Sequence, residues 1–204
     1  MNRQRVDAVV FDVGRVLYQW DLRHLFEKVI DDPARLERIL NEVVTEEWHF
    51  EHDRGRLLDE MIAERIALYP EFEAAIRVYR SRFNETIPGP VPGSHALVER
   101  LHAGGVPLFA ITNFGAEFWA RFAPHEPIFD RFREIVVSGV ERIAKPDPAI
   151  FMLSAERFGY APPAMLFIDD NPENIASAQN CGWQVHHFTD AELLEEDLSA
   201  RGLI

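Results

Sequence analysis

Ala8-Val9-Val10-Phe11-Asp12-Val13-Gly14 sets the architecture of this 204-residue chain. Four apolar residues run together without alternation, then stop at an acid and a glycine. That is the pattern of a strand buried on both faces that ends in a turn. It recurs further along: Val106 to Ile111 stops at Thr112, Ile135 to Val137 at Ser138, Met165 to Ile168 at Asp169, and Trp183 to Val185 at His186. Between these runs the apolar residues take helical spacing, over Ser94 to Ala103, Glu117 to Phe122, Pro148 to Phe158, Pro172 to Cys181 and Ala191 to Arg201. Asp147 and Asn171 each precede a proline suited to the first helical position, and Thr189 with Glu192 has capping-box spacing. Strands alternating with helices predict an α/β fold, a Rossmann-like, doubly wound parallel sheet.

One stretch breaks the alternation. Leu22, Leu25, Phe26, Val29 and Ile30 share a helical face, as do Leu58, Ile62, Ile66 and Tyr69, and then Phe72, Ile76, Tyr79 and Phe83. The chain returns through Ile87-Pro88-Gly89-Pro90-Val91-Pro92-Gly93, a stiff connector typical of a junction between modules. The expected organisation is a core of residues 1–18 and 88–204 with a helical cap, residues 19–87, inserted after the first strand.

Bulk properties narrow the function. A formal net charge of −13 repels phosphate backbones, so nucleic acid is not an expected partner. No apolar run approaches the ~20 residues needed to cross a bilayer, and the polar, basic start from Met1 to Asp7 leads into an apolar run broken by Asp12, which is no signal-peptide core. The single cysteine, Cys181, fits a reducing compartment. These features point to a cytoplasmic protein that meets small, diffusible partners, as a monomer or a homodimer.

In an open parallel sheet, ligands bind beyond the carboxyl ends of the strands, where strand order reverses. Asp12 follows the first strand, Thr112 and Asn113 the second, Asp169 and Asp170 the fourth, and Lys145 stands in the loop before Pro148. Taken singly, each has an ordinary structural reading as a turn former, a strand end, a solvated cation or a helix cap. Together, acidic groups at one edge repel unless a cation lies between them, and hard oxygen ligands suit Mg²⁺. A carboxylate can also attack phosphorus, and Lys145 and Thr112 could stabilise the transferred group.

The order Asp, Thr, Lys and a late Asp pair resembles the haloacid dehalogenase superfamily, most of whose members are Mg²⁺-dependent phosphatases. FDVGRVL at Phe11 to Leu17 is similar to its first motif, FAITN at Phe109 to Asn113 to the second, AKPDPAIF at Ala144 to Phe151 to the third, and FIDDNPEN at Phe167 to Asn174 to the fourth. The resemblance implies adjacent first and fourth strands, with Asp12 as nucleophile and metal ligand. It further implies the Gly14 carbonyl and Asp170 as metal ligands, Asp169 supporting the metal directly or through water, and Thr112, Asn113 and Lys145 on the phosphate of a small phosphorylated substrate. The helical insertion matches the small cap type.

One position departs from the pattern. Most phosphatases of the superfamily carry a general acid two residues after the nucleophile, where this chain has Gly14. A sub-branch that includes sugar-1-phosphate phosphatases has a similar Asp-x-Gly start, and the segment around Trp48 and Gly55 and the run from Asp169 to Asn174 resemble it too. A sugar-1-phosphate or another activated phosphate needs less protonation of its leaving group. His24, His49 and His52 could supply an acid, but read more simply as polar helix faces; Trp20 and Trp48 read as cap core. Two rival readings remain: a carbon–halogen hydrolase, disfavoured by the acidic pair, and a non-catalytic phosphometabolite-binding protein, disfavoured by the complete set of motif residues.

Overall fold

The computed structural model describes residues 5–204; the first four residues of the basic N-terminal stretch lie outside it. Among the described residues the strands are β1 (Ala8–Phe11), β2 (Leu108–Thr112), β3 (Glu134–Val137), β4 (Met165–Asp169) and β5 (Gln184–His187), in one parallel sheet of order β3-β2-β1-β4-β5. The chain leaves β1 in one direction for β2 and β3, then crosses back to place β4 on the other side of β1. The strand order therefore reverses between β1 and β4, the place where an α/β sheet opens a crevice. The expected Rossmann-like fold is the observed one, with the first and fourth strands adjacent.

Alternation along β1 separates two apolar layers. Val9 and Phe11 face one core with Leu108, Ala110, Leu166 and Ile168, while Ala8 and Val10 face the other with Phe109, Ile111 and Phe167. All four β1 residues are fully buried, so the run needed no polar face. β2 starts at Leu108 rather than Val106 because Pro107 has no N–H to give a ladder; its carbonyl instead accepts from Val9.

The helices are α1 (Arg23–Phe26), α2 (Pro33–Arg38), α3 (Glu46–Asp53), α4 (Leu58–Leu68), α5 (Glu73–Arg82), α6 (Ser94–Ala103), α7 (Ala116–Phe122), α8 (Ser138–Glu141), α9 (Pro148–Phe158), α10 (Pro172–Asn180) and α11 (Ala191–Ala200). Asp147 and Asn171 cap α9 and α10 as their sequences predict. At α11 the expected Thr189–Glu192 box does not form. Asp190 is the extended residue just before the helix, its Oδ1 accepts from the Leu193 N–H at 2.8 Å, and Thr189 donates to the same carboxylate.

Between β1 and β2 the chain is helical, from α1 to α5. Leu25, Phe26, Ile62, Phe72, Ile76, Tyr79 and Phe83 are all buried, as their spacing predicts. The exit and return segments run side by side: Gln19 N–H donates to the Gly89 carbonyl at 2.9 Å, and Val91 N–H to the Leu17 carbonyl at 2.9 Å. His49 and His52 are not the polar face expected of them. Both are buried inward-facing residues of α3, while His24 stays partly exposed. Trp48 is core, as expected. No helix among the described residues is long and apolar enough to cross a membrane.

Candidate active site

Register across the switch point builds the carboxylate cluster. Phe11 pairs with Ile168, and the Asp12 N–H donates to the Ile168 carbonyl at 2.8 Å, so the residues that end β1 and β4 stand level. Asp12, Asp169 and Asp170 each bring a carboxylate oxygen within 4.8 Å of the others. Lys145 reaches in from the loop before α9, its Nζ 2.8 Å from Asp12 Oδ1 and 2.7 Å from Asp169 Oδ2. The lysine is 1% exposed, so the ammonium has exchanged its water shell for these carboxylates.

The two acids of the late pair have different surroundings. Asp169 is fully buried and saturated: Oδ1 accepts from the Asn171 N–H at 2.8 Å and Asn174 Nδ2 at 3.0 Å, and Oδ2 from Lys145 and Asn174. Asp170 is less buried and lines the central cavity. Asn113 lines the cavity but commits both ends of its amide to Lys145. Its Nδ2 donates to the Lys145 carbonyl and its Oδ1 accepts from the Lys145 N–H, both at 2.9 Å, which clamps the lysine backbone. Thr112 ends β2 with a buried hydroxyl that has no partner, and it is not among the cavity-lining residues.

Charge is unbalanced here. Burial pushes the Asp12 carboxyl up to about 8; Lys145 opposes this, and Asp169 and Asp170 add to it. Asp170 is also raised by burial and by Asp169, against Arg15 and Lys145. Burial lowers Lys145, yet Asp12 and Asp169 prevail and raise it. One ammonium among three carboxylates leaves net negative charge in a low-dielectric setting, and a hard divalent cation is the species that such a donor set fits.

The cavity has a volume of about 320 Å³ and is shared between the sheet edge and the helical stretch. From the sheet edge and its loops come Asp12, Gly14, Asn113, Lys145 and Asp170; from the stretch between β1 and α6 come Trp20, Glu46, His49, Phe50, Asp53 and Phe83. Trp20, read from sequence as core, therefore faces the cavity, stacked on His49 at 5.1 Å between centroids with the Arg15 guanidinium 4.8 Å above its ring. Nothing lies within 4 Å of a Cβ built on Gly14, so the missing acid at this position is not enforced by crowding. Sequence reasoning passed over Asp53. The available signal was its i,i+4 spacing from His49 on one helix.

A model of the haloacid dehalogenase-like hydrolases matches residues 6–182. The chain is 32% identical to a probable pseudouridine-5'-phosphatase of Drosophila melanogaster over 53% of its length, spanning half of the fly protein. It is 25% identical to the sesquiterpene phosphatase of Aspergillus oryzae over 90% of each chain. Its fold matches that of a haloacid dehalogenase family enzyme from Bacteroides thetaiotaomicron, solved in complex with magnesium and inorganic phosphate. There the TM-score is 0.68 at 17% identity, covering 91% of this chain and 95% of the other. With the motif residues gathered at one sheet edge and the family match running from β1 to the end of α10, this chain belongs to the haloacid dehalogenase-like hydrolases.

Proposed function

We propose that this hydrolase is a Mg²⁺-dependent phosphatase of small phosphorylated metabolites, with a sugar-1-phosphate as the leading substrate class, acting through an aspartyl-phosphate on Asp12. The observation that carries the reading is the placement of Asp12, Lys145 and Asp170 around one cavity at the β1–β4 switch point. Phosphatase names among the similar proteins and the magnesium and phosphate of the Bacteroides structure support it. Carbon–halogen cleavage by an aspartate needs no cation, and three convergent carboxylates would be an unsuitable setting for it.

In this reading Asp12, the Gly14 carbonyl and Asp170 hold the cation, and Asp169, whose oxygens are already occupied, orients Lys145. When bound, Mg²⁺ would offset the charge of the transferred phosphoryl group. An Asp12 oxygen attacks phosphorus, the bond to the leaving-group oxygen breaks, and water later hydrolyses the acyl phosphate. Lys145 places its ammonium beside the attacking carboxylate, where it also meets the phosphoryl oxygens. Thr112 would have to turn its buried, unpartnered hydroxyl into the cavity to bind them, and Asn113 contributes by fixing Lys145. Residues 19–87 act as a cap that selects the leaving group through Trp20, Phe50 and Phe83. A cytoplasmic location, as a monomer or homodimer, fits the composition.

The test is phosphate release from a panel of phosphorylated metabolites, with Mg²⁺ or with chelator, by wild type and Asp12→Asn. We expect metal-dependent release that falls at least ~10³-fold in the variant. Absence of release across the panel, or release that persists in Asp12→Asn, rejects the proposal.

A further inference from the structure

Asp53, the last residue of α3, is a carboxylic acid with no cation beside it. It is 4% exposed and lines the cavity that holds Asp12 and Lys145. Its two oxygens are treated differently. His49 Nε2 lies 3.3 Å from Oδ2, and the Gly115 N–H donates to the carboxyl group, whereas Oδ1 is buried without any partner. A buried polar oxygen left unpaired costs free energy, and such atoms recur where a site has work for them.

One assignment of the protons satisfies the groups around Asp53. Tyr79 OH and His49 Nδ1 are 2.6 Å apart. With the phenol donating to Nδ1, the neutral imidazole carries its proton on Nε2, 3.3 Å from Asp53 Oδ2. In that assignment Oδ2 faces the Nε2 proton, and the carboxyl proton is placed on Oδ1, the atom without a protein partner. Burial supports this arrangement. It pushes Asp53 well above the ordinary carboxylate range, against the Gly115 N–H and with help from Asp12. It also lowers His49 to about 3, with His52 adding to the effect, which keeps the ring neutral.

Asp53 is also held to the catalytic edge of the sheet. The Ser138 hydroxyl, at the end of β3, donates to the Asp53 carbonyl at 2.6 Å and accepts from the Phe114 N–H at 3.0 Å. Phe114 directly follows Thr112 and Asn113, so the acid is tied through one hydroxyl to the loop that follows β2. A proton donor is what this site lacks, because Gly14 has none to give.

We infer that Asp53 is the general acid of the reaction, delivering the proton on Oδ1 to the leaving-group oxygen while His49 and Tyr79 orient its other oxygen. The inference rests on the phosphatase reading above. As the bond from Asp12 to phosphorus forms and the ester P–O bond breaks, the departing oxygen takes the Asp53 proton and leaves as an alcohol. The Asp53 carboxylate then accepts a proton from the water that attacks the aspartyl-phosphate, which restores the acid and releases phosphate.

The experiment compares wild type with Asp53→Asn on monophosphate esters whose leaving groups range from p-nitrophenol to a simple alkyl alcohol. General acid catalysis typically contributes about 10²–10⁴ in rate. We expect kcat of Asp53→Asn to fall on the order of 10²-fold or more for the alkyl ester, at least tenfold less for p-nitrophenyl phosphate, with KM changed less than about threefold for both. An equal loss on every ester means a structural role and overturns the inference. Wild type alone gives a second reading should the variant fold poorly: a proton donor makes its rates depend weakly on leaving-group acidity, and a steep dependence overturns the assignment. The phosphatase reading fails separately, if p-nitrophenyl phosphate is not hydrolysed or is hydrolysed as well by Asp12→Asn.

Discussion

Asn113 uses both ends of its amide on one neighbour, the backbone of Lys145, and so sets the reach of the ammonium that sits 2.8 Å from Asp12. A lysine stem has four rotatable bonds, and fixing its base removes much of the freedom that would otherwise blur the site. Asn113→Ala leaves the Lys145 N–H and carbonyl without their side-chain partner. We expect a loss of about 1–3 kcal/mol in stability by urea denaturation. A fall of roughly tenfold or more in kcat/KM should accompany it, since small displacements of a positioning group are costly in rate. Unchanged kinetics in a folded Asn113→Ala protein would show that Lys145 is held by its carboxylates alone.

At the scale of elements, the seam between α3 and the loop after β2 joins the helical stretch to the sheet. Thr45 caps α3, accepting from the Trp48 N–H at 3.1 Å, and Glu46 and Glu47 occupy its first turn, where the helix dipole favours acids. The far end of the helix packs on Gly115 so closely that a Cβ there would lie 2.1 Å from His52 Cδ2. His52 is buried, with its Nδ1 3.0 Å from the Arg56 carbonyl, and has little room to move aside. Gly115→Ala should push α3 off the loop, lowering stability by about 1–3 kcal/mol as overpacking does. It should reduce activity beyond that loss, because Asp53 and His49 move with the helix. Thermal unfolding and steady-state kinetics on the same preparation separate the two effects. An alanine variant as stable and active as wild type would remove the seam from the account.

For the molecule as a whole, a site that gathers three carboxylates around one ammonium stores repulsion in the fold, and a cation that relieves it binds the native state alone. Mg²⁺ at 100 times its dissociation constant would stabilise by about 2.7 kcal/mol. For a chain of this size that is a rise of roughly 5–10 °C in Tm. Asp170→Asn should abolish the Mg²⁺-dependent rise while leaving the metal-free Tm at or above that of wild type, since it removes a charge that is not saturated by hydrogen bonds. Asp169→Asn should instead lower the metal-free Tm, because three donor groups make four hydrogen bonds to that carboxylate. Differential scanning fluorimetry with Mg²⁺ and with chelator reads both variants; a Mg²⁺ shift retained by Asp170→Asn would remove that residue from the proposed ligands.

Much of this was legible along the chain. Unbroken apolar runs ending in Asp12, Thr112 and Asp169 are local signals, since a strand buried on both faces must be apolar throughout and must stop where chemistry or solvent begins. Asp147 and Asn171 announced their helices for the same local reason, as caps of their own N-terminal amides. What needed the folded molecule were relations between distant segments. Asp169 and Asp170 differ little in sequence but greatly in how many donors surround them. Asn113 proved to face a lysine backbone 32 residues away. His49 and Asp53 lie on a helix whose sequence gives little sign of which face it buries, and none of which neighbour its polar residues meet. Gly115, in the loop before α7, and Tyr79, acting through His49, bear on the Asp53 carboxyl group, while Ser138 ties down its backbone carbonyl and one carboxyl oxygen is left without a partner. Burial and hydrogen-bond partners are set by long-range packing, so these roles emerge only when the helical stretch is seated on the sheet edge.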